Sequence, residues 1–185
     1  KNAFNALLKT LEEPPDSAKF RLGVNCRNNE PIASYVEMLG LMNPPYSKVM
    51  RRDESEPEFE YYESDAQQKN LVEKMVRTLL SDGFKPEEIV LLSPFEKDCL
   101  GSLMAQEPKW RKRMKKFTGL KKGFISYATV QSFKGLEAPA VILTDFKKLD
   151  TKYRNSLFYI AMSRALHRLG IFLHEDLKSH VSSLS

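Results

Sequence analysis

The chain has few of the residues that metal and disulfide chemistry need. Its two cysteines, Cys26 and Cys99, form no C-x-x-C pair, and they share no ligand spacing with the three histidines. A zinc site and a disulfide framework are therefore not expected, and a cytoplasmic location is the default. The sequence has no apolar run of transmembrane length and no visible signal peptide, so it predicts no membrane partner.

The dipeptide Gly-Lys is also missing, so the chain has no G-x-x-x-x-G-K-[ST] loop for binding phosphates. Asp145 is a lone candidate ligand for Mg²⁺, and no acidic pair follows an apolar strand. Because the chain begins at Lys1 instead of Met, we expect it to be a fragment. These absences exclude a complete ATPase.

The bulk composition is that of one globular domain. A chain of 185 residues with 42% hydrophobic content can bury one core. The net charge of +5 permits a nucleic-acid partner without requiring one. Strand-like and helical segments alternate, which predicts an α/β fold with a parallel sheet covered by helices on both faces. The predicted strands are 19–24, 59–63, 88–93, 124–128, 140–145 and 169–174. The predicted helices are 3–12, 29–39, one that follows an N-cap at Asp65 and is stopped by Gly83, and 95–117, with a loop at 42–57.

Two segments carry most of the functional information. Residues 129–137 read TVQSFKGLE after a strand-like run, and residues 157–169 read LFYIAMSRALHRL. Arg164 is the only charged residue in 155–166, and apolar residues on every side predict a buried helix. A buried guanidinium needs an anionic partner, which is either a structural carboxylate or a bound phosphate.

These segments resemble motifs V and VI of the superfamily 1 helicases of the UvrD/Rep type, roughly T-x-H-x-x-K-G-L-E and Y-V-A-x-T-R-A. Residues 25–28, which read NCRN, resemble motif IV, usually N-Y-R-S/N. The three segments occur in the family's order and span about residues 18–175. The resemblance implies the second RecA-like domain of an ATP-dependent DNA helicase. Its partners would be single-stranded DNA and an N-terminal RecA-like domain that holds most of the ATP and Mg²⁺.

The resemblance also implies roles at the nucleotide. Arg27 and Arg164 would approach the γ-phosphate as catalytic residues, and Glu137 would bind the ribose, with Gly135 supplying the backbone geometry. The alternatives are a surface arginine, a structurally paired arginine and a solvated loop carboxylate. The family usually has an aromatic residue where Cys26 stands, so we do not carry base stacking over to this position.

The implied DNA contacts are Gln131, Ser132 and Lys134, although the family often has a histidine at one of the first two positions. The basic stretch 109–122 could also bind phosphates, with Trp110 stacked on a base. We favour the alternative that these basic residues form the solvent-exposed face of a surface helix, with Trp110 on its core-facing side.

Residues 1–16 read as a separate N-terminal helix, and residues 3–15 resemble a segment of the bacterial clamp-loader γ/τ subunit. A join to a foreign sequence and a chance similarity both explain this segment. Residues 17–185 are predicted to be the motor domain without a large inserted subdomain, because only about a hundred residues separate Asn28 from Thr129. The competing functions are a non-catalytic helicase-like module that binds nucleic acid or protein, and a clamp-loader fragment.

Overall fold

The computed structural model describes residues 23–39, 45–51, 55–119 and 121–182. The predicted N-terminal helix and residues 19–22 of the first predicted strand lie outside these ranges. The division of the chain at residues 16 and 17 therefore stays a prediction.

Eight strands and five helices make up the described ranges. The strands are β1 (Val24–Asn29), β2 (Lys48–Arg51), β3 (Glu58–Tyr62), β4 (Ile89–Ser93), β5 (Met114–Lys116), β6 (Ile125–Thr129), β7 (Ala138–Phe146) and β8 (Ala165–His174). The helices are α1 (Glu30–Leu39), α2 (Asp65–Ser81), α3 (Leu100–Gln106), α4 (Lys152–Met162) and α5 (Lys178–Ser182). Two 3₁₀ turns, Pro86–Glu88 and Glu175–Leu177, complete the elements.

The main sheet has six strands in the order β3-β8-β7-β4-β6-β5. Every pairing in it is parallel. The central strand β4 is buried along its whole length, as expected of a parallel strand that is covered on both faces. One face packs against α1 and α4, and the other packs against α2 and α3. The predicted α/β fold is therefore confirmed.

The predicted helix over residues 95–117 is wrong. Only Leu100–Gln106 is helical. Pro108 follows, and a proline disfavours helical backbone geometry at the residue before it. Trp110 is 3% exposed, and its indole N–H donates to the Glu73 carboxylate at 2.9 Å. The chain then forms β5 against β6. The apolar spacing correctly indicated that Trp110 faces the core, but the same spacing does not require a helix.

The predicted loop at residues 42–57 contains β2, a four-residue strand that pairs in parallel with β1. Its sequence, Lys-Val-Met-Arg, is too short to show the alternation of apolar and polar residues that predicts a strand. Only its pairing with β1 identifies it as one. Strand β1 also runs to Asn29, which places Arg27 inside a strand instead of after one. Within the described ranges, every helix is too short or too polar to cross a bilayer.

Candidate functional site

The residues of the three motifs meet where β7 and β8 begin, an end of the sheet that we call the amino edge. Glu137 directly precedes β7 and Arg164 directly precedes β8, and the two strands are parallel neighbours. The backbone N–H of Ala138 donates to the Arg164 carbonyl at 3.1 Å. Arg27 reaches the same place from β1, and its Nε donates to Glu137 Oε2 at 3.0 Å. The fold thus brings together residues that are up to 137 positions apart, as the Asn28–Ala165 contact illustrates.

Two buried asparagines hold Arg27 in place. Asn25 Oδ1 accepts the backbone N–H groups of Arg27 and Asn28, each at 3.0 Å. Asn28 Nδ2 donates to the Ala165 carbonyl at 2.6 Å, which ties the end of β1 to the start of β8. Sequence reasoning assigned these asparagines no role. The two asparagines in the NCRN segment were the sequence feature that could have indicated this role, because a buried amide must find hydrogen-bond partners.

Arg164 is only half-buried and follows the end of α4 by two residues, so the prediction of a helical, buried arginine is wrong. Its guanidinium donates to the Ile160 carbonyl at 3.0 Å, the Leu136 carbonyl at 3.2 Å and Ser163 Oγ at 3.0 Å. No carboxylate among the described residues pairs with it within 4.0 Å. The alternative that Arg164 pairs with a structural carboxylate is therefore not supported among these residues.

The charges around Arg164 favour the binding of an anion at its guanidinium. Burial lowers the pKa of the guanidinium, the nearby charge of Arg27 lowers it further, and Glu137 acts in the opposite direction. The three observed hydrogen bonds use neutral acceptors and about three of the five N–H donors of an arginine. An arginine fixed in this way keeps donors and a full charge for a phosphate.

Glu137 also lines a cavity of about 500 Å³. Phe117, Phe133, Leu136 and Pro139 give this cavity apolar walls. Gly135 lies just before it with φ of +87°, a left-handed conformation that favours glycine. A Cβ at Gly135 would meet nothing within 4 Å, so the constraint is the backbone conformation and not a lack of space.

The predicted DNA-contact residues lie away from the arginines. They follow β6, at the opposite end of the sheet where β4, β6 and β7 terminate, which we call the carboxyl edge. Gln131 Nε2 donates to the Tyr153 hydroxyl at 2.7 Å, and the Ser132 N–H donates to Thr129 Oγ1 at 3.0 Å. Lys134 is exposed and forms no ion pair with another described residue.

Asp145 is not arranged as a metal ligand. Its two carboxylate oxygens each accept the Leu100 N–H at 3.2 Å, and Thr144 donates to one of them at 2.8 Å. Burial raises the pKa of this carboxyl group, while those hydrogen bonds act against the rise. Across the part of the chain that the structure describes, no group of three or more His, Cys, Asp or Glu could hold a metal ion.

Comparisons with known proteins agree with the motifs. The family model of the UvrD-like helicase C-terminal domain matches residues 124–172, which include Glu137 and Arg164 but not Arg27. No curated protein sequence matches the chain.

Among solved structures, the chain resembles the C-terminal domain of a possible DNA helicase from Lactobacillus plantarum WCFS1. The identity is 14%, the TM-score is 0.63, and the match covers 80% of this chain and 87% of that one. The match to an arterivirus helicase, nonstructural protein 10, has 17% identity and a TM-score of 0.39, and covers 88% of this chain but 27% of the viral one. The resemblance to the UvrD-like helicase C-terminal domain is confirmed by the family model over residues 124–172, and the solved C-terminal domain from Lactobacillus plantarum shares the fold.

Proposed function

We propose that this domain is the second RecA-like motor domain of an ATP-dependent DNA helicase or translocase, and that it completes an ATP site built on a separate N-terminal domain. The observation that carries the proposal is the convergence of Arg27, Glu137 and Arg164 at the amino edge. Three segments far apart in sequence supply them. Two guanidiniums and one carboxylate suit a ligand that has both phosphate and hydroxyl groups.

In this proposal, Arg164 and Arg27 stabilise the negative charge that spreads over the γ-phosphate oxygens during hydrolysis. Arginines in such positions contribute about 10³- to 10⁵-fold to the rate. Glu137 accepts hydrogen bonds from the ribose hydroxyls, and its ion pair with Arg27 orients both side chains. The 500 Å³ cavity beside Glu137 offers apolar surface to the rest of the nucleoside.

The phosphate loop and the Mg²⁺ ligands come from the N-terminal domain in this proposal, because the sequence has no Gly-Lys step. Mg²⁺ bound there would neutralise charge on the phosphates. At the carboxyl edge, Gln131, Ser132 and Lys134 contact the phosphates of single-stranded DNA. Lys134 supports this role because its ammonium is exposed and forms no ion pair with any other described residue.

A double-mutant cycle on Arg27 and Arg164 tests the proposal in a protein that carries both motor domains. Each Arg→Ala change should lower kcat for ATP hydrolysis and weaken the binding of a transition-state analogue such as ADP with aluminium fluoride. The two effects should not add, because both arginines act on one phosphate. Hydrolysis that neither change alters would favour the alternative of a non-catalytic binding module, and additive effects would mean that the two arginines do not act on one phosphate.

A further inference from the structure

Strand β8 has one edge without a strand partner over its first half. Strand β3 pairs with β8 only between Gly170 and His174, whereas β7 covers the opposite edge from Ala165 onward. The carbonyl groups on the uncovered edge of residues 165–169 therefore have no partner within the six-stranded sheet. Because buried backbone groups are nearly always hydrogen-bonded, another part of the chain must supply donors to them.

Two asparagine side chains at the end of β1 supply these donors. Asn28 Nδ2 donates to the Ala165 carbonyl at 2.6 Å and to the Ser163 carbonyl at 3.4 Å. Asn29 Nδ2 donates to the His167 carbonyl at 3.2 Å. The acceptors are alternate residues, which is the spacing of a strand. Since β1 belongs to a separate two-stranded sheet with β2, side-chain amides take the place of a backbone ladder between β1 and β8.

A third asparagine completes the network. Asn25 Nδ2 donates to Asn28 Oδ1 at 3.0 Å, and Asn25 Oδ1 accepts the backbone N–H groups of Arg27 and Asn28. We call Asn25, Asn28 and Asn29 the asparagine bridge. Their side chains are buried and all three are hydrogen-bonded. A buried polar network whose members are paired favours one arrangement of the segments that it joins.

The asparagine bridge flanks both arginines of the amino edge. Arg27 lies between Asn25 and Asn28 on β1, and the two carbonyls that accept from Asn28 belong to the residues on either side of Arg164. The backbone that carries one guanidinium is thus held against the backbone that carries the other. Within the described ranges, these amides and the Arg27–Glu137 ion pair are the printed contacts that join the two segments, and the ion pair is exposed.

The chemistry of the bridge suits this position. Burial lowers the pKa of the Arg164 guanidinium and the charge of Arg27 lowers it further, so the two cations repel each other. A carboxylate between them would hold them together, but it would also compete with a phosphate for their donors. Neutral amides hold the two segments at a fixed separation and leave both positive charges for the ligand.

We propose that the asparagine bridge is a positioning element for the proposed ATP hydrolysis, in which Asn28 sets the separation of Arg27 from Arg164. The bridge does not touch the nucleotide and acts through the two guanidiniums. The proposal rests on the proposed function. A catalytic group that is displaced by about 1 Å costs on the order of 10²-fold in rate, so loss of the bridge should reduce catalysis without removing either arginine.

The test is ATP binding and steady-state hydrolysis by a protein that carries both motor domains. Asn28→Ala should lower kcat about 10- to 100-fold and leave the dissociation constant of ATP nearly unchanged. Asn28→Asp keeps the shape of the side chain but loses the N–H donors, so it should lower kcat to a similar extent.

Asn29→Ser tests the bridge with Asn28 in place. Serine keeps an oxygen for the Ile32 N–H in the first turn of α1, which Asn29 Oδ1 accepts at 3.0 Å, but it loses the donor to His167. It should lower kcat about 3- to 10-fold, the factor that corresponds to one side-chain hydrogen bond. This variant decides the question if Asn28→Ala does not fold.

Two controls separate positioning from stability. Thr144→Val removes another buried hydrogen bond, to Asp145 at 2.8 Å near the opposite end of the sheet, and should lower stability without lowering kcat. In a protein that already carries Arg27→Ala and Arg164→Ala, Asn28→Ala should lower kcat no further, because the bridge acts through the arginines. Chemical denaturation of each variant of the 185-residue chain measures its stability.

Three results would each overturn the proposal. They are full kcat in the folded asparagine variants, an equal kcat loss in Thr144→Val, and the same fold-loss from Asn28→Ala with and without the two arginines. Failure of the proposed function shows on different variants, as ATP hydrolysis that neither Arg27→Ala nor Arg164→Ala alters. Normal hydrolysis in Asn28→Ala beside slow hydrolysis in Arg164→Ala would reject the bridge alone and leave the proposed function in place.

Discussion

The two edges of the sheet differ in how they hold their side chains. At the amino edge, backbone carbonyls hold the Arg164 guanidinium and buried asparagines hold the backbone of Arg27, whose side chain forms an exposed ion pair with Glu137. At the carboxyl edge, rings and lysines are exposed, and their ion pairs lie at the surface. Chemistry on a phosphate needs geometry held to within fractions of an ångström. A strand that must slide needs charge and flat surfaces, which tolerate many positions.

One short segment, residues 129–137, touches both edges. Gln131 bonds to Tyr153 on the carboxyl side, and Glu137 bonds to Arg27 on the amino side. A change in either contact can therefore be transmitted to the other through the backbone of this segment. The following predictions, from the largest expected effect to the smallest, test whether the two edges are as separate as their structures indicate.

The isolated 185-residue chain should show no measurable ATP hydrolysis, with or without single-stranded DNA. The amino edge supplies arginines, but the chain has no phosphate loop to hold the nucleotide. A phosphate-release assay on the pure chain is the measurement. Robust hydrolysis stimulated by DNA would contradict the assignment of this chain as half of a site.

Arg164→Ala, in a protein with both motor domains, should lower kcat by about 10³-fold or more and change ATP binding little. Arg164→Lys should not restore the rate, because a lysine cannot reproduce the forked donor geometry. The affinity for single-stranded DNA should not change, since Arg164 lies at the other edge.

Arg168→Ala is the matched control for Arg164→Ala. Arg168 lies on β8, four residues after Arg164, and it pairs with Asp82 at 2.8 Å. Its removal should leave kcat near the wild-type value. Equal losses in the two variants would mean that the rate responds to general damage to β8.

Gly135→Ala should destabilise the domain by about 1–2 kcal/mol, because alanine is strained at φ of +87°. Gly119 has φ of +112° and equally open surroundings, so Gly119→Ala should cost a similar amount of stability. Only Gly135→Ala should also reduce ATPase activity, because it shifts Glu137 as well. Chemical denaturation and steady-state kinetics on both variants separate strain from function.

Lys134→Ala should make the salt slope of single-strand binding shallower by about 0.7 to 1 unit while kcat for ATP stays unchanged. Removing the charges of Lys112 and Arg113 should change the slope less. Their neighbours Trp110 and Met114 are anchored in the core at 3% and 2% exposure, which makes this stretch structural. A larger effect at residues 112–113 than at Lys134 would place the DNA surface at the turn that precedes β5.

The sequence predicted the elements whose pattern is local. Strand β4 follows from an unbroken apolar run, and α2 follows from a stripe that places Val72, Met75, Val76 and Leu79 in the core. Glycine at position 83, with φ of +93°, ends that helix as expected. The motifs also identified the three residues that meet at the amino edge, because their order along the chain resembles that of a known family.

Other features depended on contacts between distant parts of the chain. The partners of Arg164 are backbone carbonyls and a hydroxyl group, and no sequence pattern distinguishes these from a carboxylate. Strand β2 exists because β1 lies beside it. The buried Trp110 indole N–H has its acceptor, Glu73, on α2.

The sequence by itself determined the alternation of strands and helices, the missing phosphate loop and the identity of the motif residues, because each is a property of neighbours along the chain. Only the tertiary structure decided which edge of the sheet each residue reaches. The parallel pairing of β7 with β8 places Glu137 beside Arg164, and the turn after β6 leaves Gln131 beside Tyr153 at the other end. Strand pairing fixes these positions, and it joins segments that are not neighbours in the sequence.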